Sequence, residues 1–289
     1  MDDGPAGHLL SGTGRSTHTN RATLKQDLGE TTLIAMEIRS SNPVLSNKFW
    51  PNLTGFDRMT VEGSMKKIGY LLSLTIASAL VSAVLCMNAI NNGNGGLYIS
   101  AFMLIGFVGG FILALVIFLT RPANPATLMS LYALLEGMAV GSMSLALELT
   151  AYSGIALQAV FGTMAITGTM YVMYASRIIR PTPAFNKIIS GLVVSIMLLY
   201  LTSFVLGLFS PYDVPFLHSS GPIGIGLTCF ILVVAALTLI SDFGFIESGT
   251  RNGAPKLMEW YAAFGILISV IWIYIETLRL LAKLNAYRD

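Results

Sequence analysis

Three carboxylates stand inside stretches that are otherwise apolar. Glu136 lies in Leu134-Leu135-Glu136-Gly137, Asp242 in Ile240-Ser241-Asp242-Phe243, and Glu276 three residues before Arg279. If these stretches cross a membrane, each acid costs roughly 2.5–3.5 kcal/mol on insertion scales and is a functional candidate by default. Carboxylate oxygen suits hard cations, so Asp242 and Glu136 are the candidates for transient Ca²⁺ contact. A buried carboxyl beside a second acid also becomes a proton-dependent switch. Quieter roles compete with these. Asp242 and Glu136 would then be hydrogen-bonded groups that hold helices together, Glu276 one half of an intrahelical pair with Arg279, and Glu247 a solvated or paired residue near a helix end.

Other chemistry fails on inventory. The three histidines are His8, His18 and His218, two in a polar N-terminal stretch and one in a loop. An intramembrane zinc hydrolase needs about three convergent ligands, and a Ser-His protease needs a histidine at membrane depth. An enzyme is therefore disfavoured and no cofactor is expected. Gly221-Pro222-Ile223-Gly224-Ile225-Gly226 follows no strand and reads as the start of a closely packed helix rather than a phosphate cradle. Lys283 is too near the chain's end for a mid-membrane Schiff base. Cys86 and Cys229 both lie in apolar runs, which argues against a disulfide framework or a thiolate metal site.

The surroundings of these residues indicate lipid. Of 289 residues 54% are hydrophobic and 11% charged, against about 25% charged in a typical soluble domain. Mean hydropathy is +0.70. A net charge of +2 is too small for a nucleic-acid groove. Apolar segments long enough to cross about 30 Å of hydrocarbon run over 68–90, 97–120, 126–148, 154–175, 187–209, 223–246 and 260–282. Breakers such as Asn91-Asn92-Gly93-Asn94-Gly95-Gly96 and Arg180-Pro181-Thr182-Pro183 separate them. The expected architecture is all-α: a polar tail over 1–67, disordered over 1–35, then a seven-helix membrane domain over 68–289.

Orientation follows from the 17 Lys and Arg residues. Eight precede the first span, and six more (Arg121; Arg177, Arg180, Lys187; Arg251, Lys256) fall in every second connection. The connections at 91–96, 149–153 and 210–222 have none. By the positive-inside rule the N-terminus is cytoplasmic and seven crossings place the C-terminus outside. Arg279, Lys283 and Arg288 pull the other way, and would either snorkel from an outer helix end or mark a re-entrant last segment. Gly106, Gly110 and Ala114 in the second span, and Ala133, Gly137 and Gly141 in the third, recur every four residues and predict close helix packing or a moving seam.

Several segments in order resemble one family. Leu131-Tyr132-Ala133-Leu134-Leu135-Glu136-Gly137, the run from Val160 through Arg180-Pro181-Thr182-Pro183, Ile240-Ser241-Asp242-Phe243 and Met258-Glu259-Trp260-Tyr261-Ala262-Ala263-Phe264-Gly265 together resemble the bacterial branch of the Bax inhibitor-1 family. Ser40-Ser41-Asn42-Pro43-Val44-Leu45 is similar to the start of its actinobacterial members, so the resemblance covers about 36–285. It implies a seven-helix bundle around a central last helix, in a bacterial cell membrane, and a pH-sensitive Ca²⁺ leak. It further implies that two aspartates, one on each of the last two helices, share a hydrogen bond as proton sensor. Asp242 matches the first; the place of the second falls near Ser269. Serine can donate to a carboxylate but cannot form a coupled carboxyl pair. Glu276, seven residues or about two turns beyond Ser269, and Glu136 are the alternative second acids.

The leading expectation is a cation leak gated by Asp242 with Glu136 or Glu276. Ionised acids would attract the cation or repel one another and open the seam; protonation that breaks a latch to a cation would give the opposite sign. The second expectation is a non-transporting regulator that binds a membrane protease or another membrane protein.

Overall fold

The computed structural model describes residues 58–209, 217 and 219–288. The expected disorder of 1–35 and the three histidines lie outside the described residues. Seven helices follow one another: α1 Val61–Asn91, α2 Gly95–Thr120, α3 Ala126–Thr150, α4 Ile155–Ala175, α5 Pro183–Phe209, α6 Pro222–Arg251 and α7 Met258–Arg288. Each is long and apolar enough to cross a membrane, so the protein is a multi-pass integral membrane protein. All seven expected spans are found.

Local chemistry sets the helix ends, and it moves three of them outward from the apolar runs. Thr60 caps α1 by accepting the Gly63 amide on its hydroxyl at 2.9 Å, so the helix begins at Val61. Residues 61–67, expected to close the tail, are instead its first two turns, held by a Glu62–Lys66 pair at 2.7 Å. The hydropathy pattern finds the part of a helix that sits in hydrocarbon, and misses charged turns that project beyond it. The same reason extends α6 to Arg251 and α7 to Arg288. At the opposite end of the molecule, Glu148 reaches past the α3 terminus and accepts the amides of Gly154 and Ala156, covering orphan donors at the start of α4. Gly154 there has φ of 91°, a conformation that side chains disfavour.

α7 is the most buried of the seven and packs on α1, α3, α4 and α6, as a central helix should. α2 packs on α3 and α1, and α5 chiefly on α6. The last helix is continuous, so the re-entrant alternative gives way to a seventh full-length helix. Both small-residue stripes are contact seams. A Cβ on Gly106 would lie 2.6 Å from the Leu135 carbonyl, joining α2 to α3; on Gly137 and Gly141 it would lie 2.3 and 2.1 Å from the carbonyls of Thr75 and Ala79, joining α3 to α1. With lipid offering no hydrophobic drive between helices, such close backbone approach is what holds them together. Ser78 adds a bond across the α1–α3 seam, donating to the Leu134 carbonyl at 2.6 Å.

Candidate functional site

Three consecutive side chains on α6 reach three different helices, since successive residues turn about 100° around the axis. Ser241 donates its hydroxyl to the Asn186 side-chain oxygen on α5 at 2.8 Å. Asp242 accepts from the Ser269 hydroxyl on α7 at 2.6 Å. Phe243 stacks edge-on against Tyr171 of α4, with ring centroids 5.7 Å apart, and tilts against Tyr174 at the same separation. Ser241 and Asp242 are completely buried, and Ser269 and Asn186 nearly so. Thr238, one turn before Asp242, lies 3.0 Å from the Ser269 oxygen and 2.6 Å from the Ala235 carbonyl, so its hydroxyl shares one proton between them. The Ser269 proton is committed to the carboxylate. Thr238, Ser269 and Asp242 therefore form a directed relay across the α6–α7 seam.

The Arg180-Pro181-Thr182-Pro183 segment positions part of this junction. Pro181 lies where a Cβ on Gly244 would stand, 2.4 Å away, which seats the α4–α5 connection on α6. Thr182 caps α5 by accepting the Phe185 amide at 3.2 Å, and Asn186 follows one turn later to meet Ser241. Asp242 is nine residues from the end of α6, roughly 14 Å at 1.5 Å per residue, inside the half of the bundle nearer the α6–α7 connection.

The structure brings Asp242 and Ser269 together and leaves the other two acids apart. Glu276 is buried on α7, and its Oε1 accepts from Tyr200 of α5 at 2.6 Å and from Arg279 at 3.0 Å. Arg279 also bonds the Tyr200 hydroxyl and lies 5.0 Å from that ring's centroid. The Glu276 Oε2 is buried without a hydrogen-bond partner. Glu136 is buried on α3, with Tyr132 one turn earlier on the same face of the helix. Its carboxylate faces α2, 2.5 Å from where a Cβ on Gly110 would stand. Glu247 is paired at the surface, with Arg251 at 2.5 Å and with Tyr174.

Two further charged clusters escaped the sequence reading. Glu259, buried at the start of α7, accepts the amide and hydroxyl of Thr60 at 2.9 and 3.0 Å and is ion-paired with Lys67, whose ammonium lies 5.3 Å from the Trp260 ring centroid. It ties the first helix to the last across 192 residues. Lys283, buried near the other end of α7, donates to the carbonyls of Leu217 and Gly224 at 2.7 and 3.2 Å and to the Thr228 hydroxyl at 2.9 Å. No pattern in the sequence pairs these residues, since every partner is remote along the chain. The Tyr132–Glu136 spacing of four was readable. Among the described residues no three His, Cys, Asp or Glu side chains converge as a metal site.

A family model described as Bax inhibitor 1 like matches residues 15–286. The match begins before residue 36, where the resemblance starts, and covers nearly the whole chain. No curated protein and no solved structure matches the sequence.

Proposed function

The chain belongs to the Bax inhibitor 1 like family, and from that premise and the buried Asp242 junction we propose that it is a proton-sensitive Ca²⁺ leak. The observation that carries the reading is a fully buried carboxylate tied to a hydroxyl on the neighbouring helix, with Thr238, Ser241 and Asn186 around it. A carboxylate flanked by neutral oxygens is the donor set a hard cation uses when it sheds water. The protein sits in a bacterial cell membrane with its N-terminus in the cytoplasm, and Ca²⁺ passes along the α6–α7 seam.

The sign of the pH response follows from the serine. Two carboxyls in contact would repel when both ionise and so part the helices; a Ser–Asp contact has no such repulsion, because the hydroxyl donates to either form of the acid. Ionisation then acts through charge alone: the anionic Asp242 draws the cation, and its protonation removes the attraction. Flux is high at high pH and falls as pH is lowered. Glu276 already has Arg279 as counter-ion, which leaves Glu136 as the second acid, acting on Asp242 through its charge and not by contact along the seam.

Purified protein in dye-loaded liposomes, assayed for Ca²⁺ entry from mildly acidic to mildly alkaline pH, tests this. Asp242→Asn keeps the shape and removes the charge, so its flux should lose most of its pH dependence. Glu136→Gln should shift the midpoint and Glu276→Gln should not. A folded Asp242→Asn variant whose curve overlays the wild type sinks the sensor. Flux equal to empty liposomes at every pH transfers the reading to a non-transporting regulator that binds another membrane protein through its helices.

A further inference from the structure

One cavity lies away from the Asp242 junction. It has a volume of about 840 Å³ and is walled by α1, α3 and α4, with α7 as its floor. Its walls are almost wholly hydrocarbon: Leu72, Ile76 and Leu80 from α1 face Leu157, Val160 and Met164 from α4. The hydroxyls in the walls are turned back on their own helices, Thr75 donating to the Leu71 carbonyl at 3.0 Å and Thr163 to the Ala159 carbonyl at 2.8 Å. A Ser144–Tyr274 bond of 2.8 Å closes the floor between α3 and α7. Glu148 at the mouth is consumed by the α4 amides. Thr167 at the inner tip is the exception, with a buried hydroxyl that has no partner.

The length of the groove and the side on which it opens identify the occupant. The lining runs from Leu72 to Ala83 on α1 and from Ala156 to Thr167 on α4, eleven helical steps each, or roughly 16 Å. One leaflet of a 30 Å hydrocarbon core is about 15 Å deep. On α3 the lining, and on α4 nearly all of it, lies in the half that meets the Thr150–Ile155 connection, while on α1 it extends past the helix middle, so the groove lies mainly in one leaflet. It is also continuous with the lipid-facing surface, since Ile76, Leu80, Leu157 and Met164 are each about 60% exposed. We infer that this groove holds one acyl chain of a phospholipid from the leaflet nearest the α3–α4 connection, wedged between α1 and α4 against Tyr274. Small residues at Ala79, Ala83, Gly141 and Ala156 give the chain its room. The inference needs only that the bundle is embedded in a bilayer and is independent of any ion flux.

The test uses wild-type protein in liposomes containing a phospholipid with a photoactivatable acyl chain, with cross-links mapped by mass spectrometry. Leu80 and Val160 should be labelled several-fold more than Leu104 and Val233, matched residue types on the outward faces of α2 and α6 with exposures of 60% and 56%. Labelling that is even across the four positions overturns the site. A second measurement counts phospholipid retained after detergent washing. Ala83→Phe combined with Ala156→Phe should lose the retained lipid, while Val81→Phe, on the opposite side of α1 and 59% exposed, should keep it. A folded double variant that retains as much lipid as wild type overturns the site as well, and if it fails to fold the wild-type labelling decides alone.

Discussion

Ser269 donates to Asp242 at 2.6 Å in the place where the family resemblance implies a second carboxyl, and under the proposed function that one oxygen removes a charge repulsion from the junction. Ser269→Ala removes the donor and keeps the volume, so it should lower stability by roughly 1–3 kcal/mol, the cost of depriving a buried acceptor of its partner. Thermal unfolding in detergent measures it, and an unchanged midpoint would mean the contact is not formed. Ser269→Asp asks the opposite question. Two contacting carboxyls lose their protons in two coupled steps, the second resisted by the charge already present, so an opening that needs both ionised should have its midpoint at higher pH than in wild type. A midpoint that stays at the wild-type pH would show that charge repulsion has no part in opening.

The helices are held by close backbone approach where lipid offers no hydrophobic drive, and the glycines differ sharply in what they permit. Gly137 on α3 has a carbonyl of α1 2.3 Å from its missing Cβ, whereas Gly168 on α4 has nothing within 4 Å. Gly137→Ala should therefore cost about 1–3 kcal/mol through overpacking, and Gly168→Ala should stay within ~0.5 kcal/mol of wild type. Equal melting temperatures for the two variants would contradict the α1–α3 seam. The position of Glu136 depends on the same stripe, since it is the residue before Gly137 and faces Gly110 of α2.

The assembled bundle answers the charge pattern of its own C-terminus. Arg279 is engaged with Glu276 and Tyr200, and Lys283 with three oxygens of the segment that begins α6. Both are spent inside the protein, so neither competes with the basic residues before α1 in setting orientation. A reporter fused to the N-terminus should be cytoplasmic and one after Asp289 external. Both reporters on one side would contradict an odd number of crossings.

Hydropathy and turn residues alone determined seven helices, their order and most of their limits, because the bilayer sets one length for every span. The depth and cost of Glu136, Asp242 and Glu276 were equally legible. Their partners were not. Asn186 meets Ser241 55 residues away, Tyr200 and Thr60 meet acids 76 and 199 residues away, and no periodicity within one helix carries that information. Ser269 could be placed opposite Asp242 only by resemblance, whereas its hydrogen bond follows from how α6 and α7 rotate against each other. That rotation is decided by how the side chains of the two helices pack, a property that exists only once the helices have met.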